Sequence, residues 1–138
     1  MPDRERVLFI CTHNSARSQM AEGLLRHLHG DRYEASSAGT EPGSLHPLAV
    51  RAMAEAGIDI SAARAKGIDS LGDERFDLAV TVCDEAAEAC PTYPGAARHA
   101  HWGLPDPSRA TGNEEERLEA FRTVRDEVRR RIEEEFGG

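Results

Sequence analysis

A junction near the amino terminus narrows the possible folds more than any other feature of this chain. Val7-Leu8-Phe9-Ile10 is an uninterrupted apolar run, and it opens without a linker into Cys11-Thr12-His13-Asn14-Ser15-Ala16-Arg17-Ser18. From Arg17 onward Met20, Leu24, Leu25 and Leu28 fall at helical spacing, and Gly30 stands where a helix ending at His29 would stop. A buried strand that feeds a helix through a short loop is the repeating unit of parallel sheets, in which the chain must cross back before the next strand can pair.

The alternation continues down the chain. Residues 33–38 read as a second extended segment, ended by Gly39, and His46-Pro47 offers a first-turn proline for a helix through Ala56, before Gly57. Residues 76–82 (FDLAVTV) read as a third buried strand terminating at Cys83, followed by an alanine-rich helical stretch over 84–89 that Cys90-Pro91 breaks. Residues 98–102 are a fourth strand candidate, leading into the turn-rich Gly103-Leu-Pro-Asp106-Pro-Ser108. The last element is an amphipathic helix: Leu118, Phe121, Val124 or Arg125, Val128 and Ile132 recur every three or four residues. Asn113 and three glutamates suit its amino end, and Arg129 to Arg131 lie nearer its carboxyl end, as the helix dipole favours. The expected fold is α/β: one domain over residues 1–138, a three-layer sandwich with a central four-stranded parallel sheet flanked by helices. Ligands gather at the carboxyl ends of strands in such sheets, and Cys11 and Cys83 both stand at such ends.

Composition decides how the cysteines are read. With 138 residues, 39% hydrophobic and 30% charged, the chain can build one real core. Its 25 acidic and 17 basic residues leave a formal charge of -8, which argues against nucleic acid or an anionic membrane as the main partner. Any anionic substrate must therefore be attracted locally. The first apolar run is too short for a signal-peptide core and no later stretch reaches the length of a membrane span, so a cytoplasmic protein is expected. In a reducing compartment three cysteines, an odd number, are working thiols rather than a structural staple. A monomer is expected.

The five residues between Cys11 and Arg17 allow the backbone to curl so that successive amides face one anion at a helix amino terminus, with Arg17 closing the ring. The same positive setting favours thiolate over thiol at Cys11, and the guanidinium offers a planar two-pronged contact to a tetrahedral oxyanion. The oxyanion binders are then the loop positions Thr12, His13, Asn14, Ser15 and Ala16 with Arg17 and Ser18. Ser18 can donate to the sulfur, and Asn14 tolerates the left-handed backbone a tight loop requires. An inert buried Cys11 with Arg17 as a surface charge is the competing reading, since free cysteine is often buried. The order of strand, C-x5-R-S and stopped helix weighs against it.

The stretch VLFICTHNSARSQMAEGLL resembles the phosphate-binding loop of the low-molecular-weight tyrosine phosphatase fold. Within that fold the chain is similar to the thioredoxin-coupled arsenate reductases through SAGTEP, GIDIS, DLAVTVC, the second cysteine-proline and HWGLPDP. The loop alone does not separate phosphatase from reductase. The later thiols in VTVCDEAAEACP do, because a phosphatase needs neither. The resemblance implies a relay: Cys11 attacks arsenate, Cys83 attacks Cys11 and expels arsenite, and Cys90 attacks Cys83, leaving a Cys83–Cys90 disulfide for thioredoxin to reduce. A helix over 84–89 would hold those two cysteines roughly 10 Å apart, beyond disulfide reach, so the segment must rearrange to oxidise. Zinc held by Cys83 and Cys90 with His99 or His101 is a poor alternative, because the short spacing of structural cysteine pairs is missing. No metal site is expected.

In the resembled family the aspartate of the D-P pair is the general acid, which places Asp106 in that role; from residue type alone it could equally shape a proline turn. Phosphatases of the fold follow this pair with tyrosines. Ser108, Arg109 and Ala110 stand here instead, which favours a small inorganic oxyanion, arsenate or a phosphate-like anion. Potassium-binding members gather the ion with residues matching Asn14, Glu22 and Ser37 plus an acidic residue where this chain has Lys66. Its ammonium could replace the ion, so no cofactor is expected and potassium dependence is not. Two rival functions remain: a phosphatase working through a phosphocysteine, and a phosphocysteine phosphocarrier, which would have no use for Cys83, Cys90 or Asp106.

Overall fold

The computed structural model describes residues 4–84 and 92–137. Four strands and three helices are laid out in the order β1 (Glu5–Cys11), α1 (Arg17–His29), β2 (Tyr33–Gly39), α2 (Pro47–Glu55), β3 (Phe76–Thr81), β4 (Ala96–His101) and α3 (Glu114–Phe136). Short 3-10 turns occupy Ile68–Leu71 and Pro107–Arg109. The strands form one sheet in the order β2-β1-β3-β4, and every pairing is parallel.

The apolar run that opens the chain lies at the centre of this sheet, where a strand is covered on both faces and has no polar side to show. Its side chains alternate. Val7, Phe9 and Cys11 join Leu78, Val80 and Val82 beneath the apolar stripes of α1, α2 and α3, whereas Leu8 and Ile10 face Ala38, Ala79, Phe76 and Tyr93, packed against Ile68 and Leu71. On the three-helix side, α3 contributes Leu118, Phe121, Val124, Val128, Ile132 and Phe136, each worth about 2 kcal/mol of burial. Val124, not Arg125, takes the ambiguous position of that stripe.

The ends of the helices follow from their sequence. His46 accepts a hydrogen bond from the Leu48 amide with Pro47 in the first turn, and Asn113 and Glu116 close a reciprocal capping box. The fourth strand departs from expectation by starting two residues earlier, at Ala96, and ending at His101. Trp102 leaves the sheet to bury its ring near Phe9 and Phe136, at centroid distances of 5.7 and 6.3 Å. The expected helix after Cys83 and the Cys90-Pro91 break lie outside the described residues. Among the described residues no helix is long and apolar enough to cross a membrane.

Register brings the chemistry to one edge. Cys11 lies opposite Gly39 on β2, Ile10 lies opposite Thr81 on β3, and the Val82 amide donates to Ile10 O at 2.8 Å, so Cys83 follows at the same end of the sheet.

Candidate active site

The loop from Cys11 to Arg17 owes its shape to the segment after β2. Thr12 O accepts from the Glu41 amide at 2.8 Å, His13 O from the Gly43 amide at 3.0 Å, and Ser15 O from the His46 amide at 2.9 Å. A trans peptide points its carbonyl and the next N–H in opposite directions, so carbonyls tied outward leave the amides of His13, Asn14 and Ala16 facing inward. The Asn14 amide does so visibly, donating to Cys11 Sγ at 3.2 Å. Asn14 adopts φ 52°, the left-handed conformation expected of it. Ala16 begins α1 without a side-chain cap, and the first turn carries no acidic residue, so the positive end of the helix is left for an anion.

Cys11 is a free thiol, buried at the floor of this loop. Ser18 Oγ lies 2.8 Å from its sulfur. Asn14 Nδ2 donates to the same hydroxyl oxygen at 2.7 Å, which leaves the Ser18 proton to point at the sulfur. Two donors thus converge on Sγ, an arrangement that stabilises a thiolate.

Arg17 is 3% exposed, and its guanidinium donates to Leu104 O at 3.1 Å while standing 3.9 Å from Asp106 Oδ2. Asp106 shapes its proline turn and also faces the loop. Its Oδ1 accepts from the Ser108 amide at 3.0 Å and the Ser108 hydroxyl at 2.7 Å, shaping the proline turn, and Oδ2 remains directed at Arg17. An anion bound in the loop would therefore have the inward amides and the guanidinium as donors, the sulfur beneath it, and one carboxyl group at the rim. Thr12 and Ser15 are partly exposed; His13 is exposed, with its ring held on Glu41 O at 2.9 Å.

Cys83 is fully buried and is held in a disulfide, whereas Cys11 is not. Cys90 lies outside the described residues. A model of the low molecular weight phosphotyrosine protein phosphatase family matches residues 6–136. The chain belongs to this family.

Several similar proteins are arsenate reductases by name. The arsenate reductase of Bacillus subtilis is 48% identical over 128 residues, 93% of this chain and 92% of that one. A solved arsenate reductase in its phosphate-binding state superposes with a TM-score of 0.81 at 33% identity, over 94% of this chain and 95% of that one. A thioredoxin-dependent arsenate reductase of Corynebacterium glutamicum superposes at 0.68 with 30% identity, over 95% of this chain and 61% of that one.

Behind the loop a second cluster surrounds Glu22, which is 6% exposed. Ser37 Oγ donates to its Oε1 at 2.7 Å, Arg26 to its Oε2 at 2.8 Å, and Lys66 Nζ stands 3.8 Å away. Asn14 joins through its other end, accepting the Lys66 backbone amide on Oδ1 at 2.8 Å. The four residues singled out from sequence thus lie close together, and the Lys66 ammonium, which also donates to Arg64 O at 3.3 Å, stands at the edge of the cluster. Among the described residues no group of three His, Cys, Asp or Glu is placed to hold a metal.

Gly39 and His46, read from the sequence only as a strand end and a helix start, also belong to the site. Gly39 packs so closely beneath the loop that a Cβ would meet Thr12 O at 2.6 Å and Asn14 N at 2.9 Å. The other is His46. Its backbone amide anchors Ser15, its ring stacks 4.6 Å from Phe121, and burial, with Arg117 nearby, pushes its imidazole below the usual range against an opposing pull from Asp106.

Proposed function

We propose that this chain reduces arsenate to arsenite, with Cys11 as nucleophile and Cys83 and Cys90 as the thiols that carry the oxidation away. The observation that carries this reading is the pairing of a free Cys11, set among oxyanion donors, with a Cys83 already in a disulfide at the same sheet edge. A phosphatase has no use for the second. The arsenate reductase of B. subtilis, similar over nearly the whole of both chains, supports the same substrate.

In this scheme the loop amides and Arg17 bind the arsenate oxyanion, and the Cys11 thiolate attacks arsenic. One oxygen departs as water on taking a proton from Asp106. The Cys83 thiolate then attacks Cys11 Sγ: the S–As electron pair stays with arsenic, which leaves as arsenite, and a Cys11–Cys83 disulfide forms. Attack by the Cys90 thiolate on Cys83 releases Cys11 as thiolate and leaves Cys83–Cys90. Two electrons have passed from two thiols to arsenic, and a dithiol reductant restores them. Thioredoxin is the reductant this reading assigns, supported by the thioredoxin-dependent relative from C. glutamicum. The reaction belongs in the cytoplasm, where such a reductant is kept reduced. Lys66 Nζ beside Glu22 fills the place of a monovalent cation, so the catalytic loop keeps its shape without potassium.

The test is arsenate-dependent NADPH consumption with thioredoxin and thioredoxin reductase, compared with glutathione and glutaredoxin, followed by disulfide mapping of the oxidised product. A Cys83–Cys90 bridge and loss of turnover in Cys90→Ser are expected. Undiminished steady-state reduction in Cys90→Ser would sink the relay.

A further inference from the structure

Gln19 stands one residue past Ser18, 1% exposed, and its side-chain Oε1 is buried with no hydrogen-bond partner. An orphaned amide oxygen costs about 1–3 kcal/mol, so an aliphatic side chain of the same size would be the more stable occupant unless the other half of the amide has a task. That half is fully engaged: Nε2 donates to Asn14 Oδ1 at 3.1 Å and to Arg64 O at 2.8 Å.

Orientation makes this contact informative. Arg64 O can only accept and the Lys66 backbone amide can only donate, so the orientations of the two side-chain amides they touch are fixed by their partners. Asn14 Oδ1 receives two donors, which forces Asn14 Nδ2 toward Ser18 Oγ. That hydroxyl, already accepting, must then spend its single proton on Cys11 Sγ. Held on Arg64 O by one of its two amide donors, Gln19 starts a chain that runs in one donor direction through Asn14 and Ser18 to the Cys11 sulfur.

We infer that Gln19 is a positioning residue that locks the direction of this chain and so keeps the Ser18 proton on the Cys11 sulfur. The inference rests on reading Cys11 as the nucleophile and is independent of which oxyanion the loop accepts. Removing the Gln19 donors leaves the Lys66 amide as the single remaining hold on Asn14 Oδ1, so Asn14 turns more readily, and each turned state puts the Ser18 proton on Asn14 Oδ1, away from sulfur. A carboxylate in place of the amide is the more severe change, because it invites Asn14 Nδ2 to itself.

The experiment follows iodoacetamide modification of Cys11 against pH in the fully reduced protein, by mass spectrometry of the Cys11 peptide, for wild type, Gln19→Met and Gln19→Glu. Both variants are expected to need higher pH for half-maximal modification, with a rate at pH 6 lowered about threefold or more in Gln19→Met and further in Gln19→Glu. In turnover kcat should fall while KM for the oxyanion holds. Unchanged modification profiles in folded variants, whatever their thermal stability, would reduce Gln19 to packing and overturn the inference. In the unaltered protein the Gln19 side-chain amide protons should exchange with solvent at least tenfold slower than a free amide; exchange at the free rate overturns it as well, should neither variant fold. Failure of arsenate turnover with the modification shifts intact would instead count against the proposed function.

Discussion

Replacing Gly39 with alanine tests whether the anion loop is held from below by β2. The added Cβ would sit 2.6 Å from Thr12 O, about 0.8 Å short of the 3.4 Å at which ordinary contact begins, and 2.9 Å from Asn14 N. Both obstacles are backbone. No side chain can swing aside, so the loop and the strand must separate by most of that shortfall. Overpacking of this kind costs about 1–3 kcal/mol, which for a chain of this size lowers Tm by roughly 4–12 °C. The larger effect should be on catalysis: the inward amides of His13 and Asn14 move by most of an ångström, and displacement on that scale costs about a hundredfold in rate. Thermal unfolding and steady-state arsenate reduction measure the two quantities. Gly103→Ala, whose Cβ would meet only the His101 ring at 3.6 Å, should change neither. If Gly39→Ala retains kcat/KM within twofold of wild type, the close approach does not set the loop geometry and the reasoning fails.

Asp106→Asn keeps an oxygen for the Ser108 turn but removes the acidic proton, so kcat should drop about 10²- to 10⁴-fold with the fold intact; a loss under threefold excludes it as the acid. If Lys66, with Arg26, stands in for a cation beside Glu22 as proposed, turnover should be equal in potassium and sodium, and a severalfold rise with potassium would refute that substitution of ammonium for ion. Burial lowers the His46 imidazole in the folded chain, so between its folded value and the ordinary 6.5 the unfolded state binds more protons and stability falls as pH drops through that window. Protonation would also cost the Leu48 cap, which the ring accepts on Nδ1. Urea midpoints between pH 7.5 and 5.5 should decline less steeply in His46→Asn, which caps without titrating; parallel declines would show that another group is responsible.

The strand, the C-x5-R-S loop and the helix behind it were readable because each is written in consecutive residues. The capping box at Asn113 and the first-turn Pro47 are local in the same sense. What escaped is the part assembled from distant positions. Nothing near Gly39 announces that two peptide groups of another segment rest on it, and Gln19 looks like any polar helix residue until residue 64 is seen beside it. The fourth strand was misplaced by two residues for a related reason. At the sheet edge Ala96–His101 is largely exposed, lacks alternating apolar side chains, and takes its starting point from pairing with Phe76. Asp106 divided between two readings because its two oxygens do two things.

The outward ties from Thr12, His13 and Ser15 to residues 41–46 mean that the signature of this family is half of a device. Cut out as a peptide or transplanted to another strand–helix junction, residues 7–29 would bring the thiol, the arginine and every amide. They would not bring the partners that turn those amides toward one point. A protein engineer borrowing the motif must therefore borrow the stretch from Gly39 to His46 as well, and variation in that stretch is a route by which relatives can retune oxyanion affinity without altering a single residue of the loop.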